Sequence, residues 1–323
     1  MNDDKYFLGR NGFIWFNGVV EDRQDPQYLG RVRVRCIGFH TADKIELPTA
    51  DLPWAMVALP VTSPGISGLG VSPSFLIEGS WVYGYFRDGQ TCQEPIILGT
   101  LPGRPLELGN PNTGFNDPNR RSEVVEEDNY NISVYPRNND EPDTNRLAVH
   151  NTNKEAASLT ARKAARLTNI VGVNNTWSQP EIAYNAVYPY NHVYESESGH
   201  VFEFDDSFVI DENGVRTNSY RVHLRHTSGT SIEMTNNGDA IEIIKNDKYI
   251  LITNDNKVYI QGDKDVIVNG NYDLKINGNY NVAVAGNKTE TITGNHTASV
   301  NGSNTETTSG ALVIRGATID LNP

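Results

Sequence analysis

Few residue patterns in this chain could carry chemistry. The densest acidic run, Glu123, Glu126, Glu127 and Asp128, offers no convincing acid pair of the kind that glycoside hydrolysis needs, and it reads as a solvated loop. Three arginines alternate along Gly30-Arg31-Val32-Arg33-Val34-Arg35-Cys36. On a strand this puts Val32, Val34 and Cys36 on the core face and Arg31, Arg33 and Arg35 on the outer face. An outer row of this kind could meet phosphate. No aromatic stacking platform is legible beside it, however, and Glu21, Asp22 and Asp25 lie nearby, so ion pairing within an assembly is the expected role. His223 and His226 lack acidic company at metal-ligating spacing. The Gly-rich stretch from Ser63 to Gly70 has no Lys-Ser/Thr ending and no following helix pattern, which rejects a phosphate loop. Cys36 and Cys92 read as small hydrophobes rather than a disulfide. No catalytic residue, metal ligand or cofactor is assigned, and enzymatic activity is not expected.

The bulk numbers agree. Of 323 residues, 37% are hydrophobic and 28 are Gly, which disfavours one large enzyme core. A formal charge of −13 repels nucleic acid, so no stable nucleic-acid binding is expected. No apolar h-region follows Met1-Asn2-Asp3-Asp4 and no run is long enough to span a bilayer, so assembly in a cytoplasm is expected.

The elements that must position these residues are strands, and the expected class is all-β. Five strand-like runs, Phe13 to Val20, Gly30 to Gly38, Trp54 to Leu59, Gly79 to Phe86 and Ile96 to Leu101, alternate with Pro- and Gly-marked turns. They predict a closed five-stranded barrel over 1–103. Residues 104–187 read as a loop-rich linker with one short amphipathic helix between Lys154 and Ile170, laid over another part of the protein. Strand patterns resume over 188–257 as a collar.

The strongest signal lies in 258–323. Gly262, Gly270, Gly278, Gly286, Gly294, Gly302 and Gly310 recur every eight residues. Two before each stand Ile260, Val268, Ile276, Val284, Ile292, Val300 and Thr308; four before stand Val258, Val266, Leu274, Val282, Glu290, Ala298 and Glu306. Positions two apart share a strand face, and Gly permits a positive φ or a close backbone approach at a corner. Each octad is thus one short strand and one corner. One chain coiled into a triangle would spend three octads per turn, too few turns to enclose a core. Three intertwined chains close every layer and bury each Val or Ile for roughly 1.5–3 kcal/mol. Seven layers at the strand spacing give roughly 34 Å of needle. The site two before Gly is expected to be the buried one, with Glu290 and Glu306 partly hydrated. The terminal Leu312, Ile314, Ile319 and Leu321 form an apolar end that calls for a capping partner.

These residues resemble those of the baseplate central spike, or cell-puncturing, proteins of T4-like phages, and more distantly the spikes of type VI secretion. The likeness rests on Trp15-Phe16-Asn17-Gly18-Val19-Val20-Glu21-Asp22-Arg23 running on to Leu29-Gly30-Arg31-Val32, on Tyr188-Pro189-Tyr190 through Asp205-Asp206, and on the octads. The resemblance implies an N-terminal OB-type barrel that seats the chain in a ring-shaped baseplate hub, with Arg31, Arg33 and Arg35 as hub or intratrimer contacts. It also implies a C-terminal triple-stranded intertwined β-helix formed by a homotrimer, a PAAR-type tip protein at its end, transient contact with the host envelope and a place in the virion's tail baseplate. The linker is too short for the lysozyme domain that such a spike can carry. A trimeric β-helical polysaccharide-degrading tailspike or a receptor-binding fibre is the alternative. Strict octads disfavour the first; an ending at Asn322-Pro323, without a bulky knob, disfavours the second.

Overall fold

In the computed structural model, residues 12–103, 143–149, 159–160, 162–173 and 175–320 are described. They are nearly all β. The chain divides into two units, 1–265 and 266–323. Among the described residues no helix is long and apolar enough to cross a membrane.

The first unit opens with five strands: β1 (Ile14–Asp22), β2 (Val32–Cys36), β3 (Trp54–Val57), β4 (Trp81–Phe86) and β5 (Pro95–Thr100). They close into a barrel in the order β1-β2-β3-β5-β4, with β4 returning to β1. The alternation in the sequence sets the inside: Phe16, Val20, Val32, Val34, Cys36, Ala55, Val82, Phe86 and Ile97 form the core, with Leu76 closing on it. Two crossings need a residue without a side chain. A Cβ on Gly84 would stand 1.9 Å from the Ile96 carbonyl oxygen, and one on Gly18 would stand 2.7 Å from that of Arg35. Both cysteines are free, and burial, with Cys92 adding to it, pushes the Cys36 thiol up to about 12.

Beyond the barrel come α1 (Arg146–Val149) and a small hairpin of β6 (Ile170–Val171) and β7 (Thr176–Trp177). Of the stretch Lys154 to Ile170, where one short helix is expected, the described residues 159–160 and 162–164 are helical, whereas Leu167 is exposed and Ile170 is a strand residue. The chain is redirected at Asn169, whose φ is 57°, and Leu167 instead accepts a backbone hydrogen bond from Gln179. The acidic run at Glu123–Asp128 lies outside the described residues.

A five-stranded antiparallel sheet follows, ordered β14-β13-β12-β9-β8. Its strands are β8 (Asn191–Glu195), β9 (Val201–Asp205), β12 (Arg221–Arg225), β13 (Ser231–Thr235) and β14 (Ala240–Ile243). A hairpin of β10 (Phe208–Ile210) and β11 (Arg216–Asn218) is inserted between β9 and β12. Leu147, Leu159, Tyr184 and Ala186 pack on Val201, so linker residues cover one face of this sheet.

Candidate functional site

The octads of 258–310 are built as the spacing requires, one straight segment and one bend per eight residues. Each of the seven glycines, Gly262 through Gly310, is the second residue of a bend, and the residues between bends form no strand within the chain. No backbone–backbone hydrogen bond is made among the described residues of this stretch. Both apolar rows stand open. Ile260, Val268, Ile276, Val284, Ile292 and Val300 are 42–55% exposed, and Val258, Val266, Leu274 and Val282 are 58–71% exposed. Glu290 accepts a hydrogen bond from Lys288, two residues before it, so the carboxylate at that row's first break carries its own counter-charge.

The glycines themselves depart from expectation. None of the seven has a positive φ, and a Cβ on any of them would meet nothing within 4 Å. Neither reason for Gly at a corner is therefore supplied by one chain. Leu312, Ile314 and Ile319 are exposed at the end of the array, and Leu321 lies outside the described residues.

On the barrel, the arginine row is turned inward on its own chain. Arg35 is not on an outer face: its side chain is fully buried, as is that of Glu21, which it grips with Nε to Oε1 at 2.7 Å and Nη2 to Oε2 at 3.1 Å. It also donates to the carbonyls of Thr41 and Leu47, so the loop after β2 folds over the wall and seals the guanidinium in. A register shift between Val20 and Asp22 makes room for Glu21. Arg31 holds Asp25, whose carboxylate also accepts the backbone N–H of Gln27, Leu29 and Arg31. The Arg31 guanidinium in particular keeps the Asp25 carboxyl well below its ordinary range. Arg33 lies over the Trp54 ring, 3.5 Å from Asp22, and donates to the carbonyls of Thr49, Ala50 and Leu52. The nearby carboxylates noted in the sequence are thus the arginines' partners within the chain.

An aromatic cluster illegible in the sequence appears on the barrel exterior. Pairing of Trp15 with Tyr85 gathers Phe13, Trp15 and Tyr85 with ring centroids 4.8–5.9 Å apart. Arg31, before β2, and Arg33 and Arg35 on it are each paired with a carboxylate of the same chain.

The five-stranded sheet carries a second feature that strand propensity did not show. Its covered face is charged: Arg221 lies 2.6 Å from Glu203 and 3.0 Å from Glu233, and Glu203 also meets His223 at 3.2 Å and Asn191 at 2.7 Å. Burial raises the Glu203 carboxyl, but His223, Arg221 and Asn191 more than offset this and hold it below its ordinary value. Asp205, with Oδ2 lacking any hydrogen bond, is pushed up by burial. The side chains of Glu203 and His223 are both buried. The opposite face holds Tyr194, Phe202, Phe204, Leu224, Ile232 and Met234, all exposed. Alternation in Val201-Phe202-Glu203-Phe204-Asp205 was the available signal, but it does not say which parity faces inward. The His226 and His200 rings lie tilted against each other with centroids 4.4 Å apart. Among the described residues no group of three or more metal-ligating side chains comes together.

Comparison with known proteins gives two kinds of match. Residues 38–186 match the family of the Gp5 N-terminal OB domain, which takes in β3 to β5 and the linker. The chain is 34% identical over 274 residues to Protein Gp5 of Vibrio phage KVP40, covering 75% of this chain and 60% of that protein. It is 46% identical over 113 residues to the pre-baseplate central spike protein Gp5 of Enterobacteria phage T4, covering 33% of this chain and 20% of that protein. The chain therefore spans 60% of the first relative's length and a fifth of the second's.

Proposed function

We propose, from the similarity to the Gp5 OB domain, to Protein Gp5 of Vibrio phage KVP40 and to the pre-baseplate central spike protein Gp5 of phage T4, that the chain is the structural central spike of a contractile tail baseplate, located in the virion and piercing the host envelope. The observation that carries the mechanism is the octad array: two apolar rows and a perfectly phased row of glycines, none of which one chain can use. Two sister copies supply what is missing. Their strands satisfy the open backbone groups, their side chains cover the rows, and their close approach at each corner gives Gly its reason. A homotrimeric needle so cross-bonded transmits sheath force to a small apex without bending. In this reading Ile260, Val268, Ile276, Val284, Ile292 and Val300 form the axial core, and the exposed Leu312, Ile314 and Ile319 receive a PAAR-type tip protein.

The barrel seats the spike in a ring-shaped hub, with Arg31 and Arg33, each still partly exposed, available at its surface. The role is mechanical and no reaction is assigned to the chain. Native mass spectrometry of the purified chain tests the core of this reading. A mass of three times 35.8 kDa is expected, and Ile276→Asp with Val284→Asp should abolish it. A stable wild-type monomer would overturn it.

A further inference from the structure

On the covered face of the collar sheet, Asn191 Oδ1, Asp205 Oδ2 and Arg221 Nε are buried and make no hydrogen bond within the chain. They belong to one cross-strand row. Asn191 on β8 and Arg221 on β12 are both direct register partners of Asp205, which lies between them on β9. All three residues are at most 4% exposed. Polar groups so deeply buried are nearly always paired, so three unpaired ones in a single row point to a ligand.

Their orientations are fixed by the bonds their neighbouring atoms make. Asn191 Nδ2 donates to the Leu147 carbonyl at 3.0 Å and to Glu203 Oε1 at 2.7 Å, which uses both its hydrogens and leaves Oδ1 over. Asp205 Oδ1 accepts the Ser207 N–H at 3.0 Å, which leaves Oδ2. Arg221 Nη1 donates to Glu233 at 3.0 Å and Nη2 lies 2.6 Å from Glu203 Oε1, which leaves the Nε–H. Asn191 and Arg221 thus converge on one oxygen of Glu203, two residues from Asp205 on the same face of β9. The linker roofs the row: the Tyr184 hydroxyl donates to that same Leu147 carbonyl at 2.8 Å, and its ring centroid lies 5.0 Å from the Arg221 guanidinium.

We propose that a single water molecule is built into the collar here, accepting the Arg221 Nε–H and donating one hydrogen to Asp205 Oδ2 and the other to Asn191 Oδ1. The donor and acceptor count selects water. The row offers one donor and two acceptors, the complement of a water making the three bonds usual for a buried one. A metal cation would face the guanidinium, and an anion would face the carboxylate. A proton on Asp205, which burial favours, would serve Asn191 Oδ1 but leave Nε unpaired. By holding Oδ1, the water keeps the Asn191 amide turned with Nδ2 toward Leu147, and so helps to fasten the linker to the collar. The proposal concerns one chain and does not depend on the trimeric reading.

The test is a crystal structure of the full chain, grown at neutral pH and taken to a resolution that shows ordered solvent. One density peak of water weight is expected within hydrogen-bond distance of Arg221 Nε, Asp205 Oδ2 and Asn191 Oδ1, in every copy of the chain. Direct contact of Asp205 Oδ2 with Asn191 Oδ1, and no peak between them, would overturn the proposal in favour of a proton. Direct contact of Asp205 Oδ2 with Arg221 Nε would overturn it in favour of an ion pair. A peak with the anomalous scattering of a metal or halide would overturn it in favour of an ion.

Discussion

Replacing Arg35 by Met should be among the most damaging single changes in the barrel. The Arg35 and Glu21 side chains are both fully buried, so removing the cation leaves a carboxylate with only the Thr49 hydroxyl, at 2.6 Å, for company. It also strips the carbonyls of Thr41 and Leu47 of their donors and so releases the loop that covers β2. Breaking a buried pair from one side costs about 3–5 kcal/mol. Glu21→Gln should cost less, because its amide can still accept from Arg35, while Glu21→Leu alone should match Arg35→Met. The double variant Glu21→Leu/Arg35→Met removes both charges and should recover at least half of the single loss, since a buried pair and an apolar replacement of similar volume are close in stability. Three of the four tryptophans, Trp15, Trp54 and Trp81, lie in the barrel, so urea unfolding followed by fluorescence in a Trp177→Phe background reports on this unit. A cost below about 1 kcal/mol for Arg35→Met, or a double variant no better than either single one, would refute the reasoning.

Gly84→Ala should destabilise the barrel by at least about 1–3 kcal/mol, read in the same unfolding assay, because the new methyl meets the Ile96 backbone rather than a side chain that could move; an unchanged midpoint would contradict the close crossing. Asp25 gives a pH signature. Its carboxyl is held below its ordinary 3.8 by Arg31 above all, so it stabilises the fold above that value and the contribution is lost as pH falls through the lower folded value. Asp25→Asn should flatten the stability profile below about pH 4, and its loss of thermal stability should be larger at about pH 6 than at about pH 2.

Much of the design is written in the order of residues. The barrel strands follow from alternation because a one-residue error would put every valine of Val32-Arg33-Val34 in water, and turn residues fix the strand ends; the observed limits differ from the expected ones by only a few residues. The octads are equally legible, since a bend at each Gly needs nothing but local sequence. Partners across space were not legible. Arg35 looked like a surface residue because alternation assigns it outward, and only the loop folded over β2 turns that exterior into an interior. The collar shows the same limit in reverse. Its alternation was plain, yet Glu203, Arg221, His223 and Glu233 face inward while Phe202, Phe204 and Leu224 face out. Periodicity names two faces of a strand, but which of them is buried depends on what packs there, and that is a property of the folded chain rather than of any window within it.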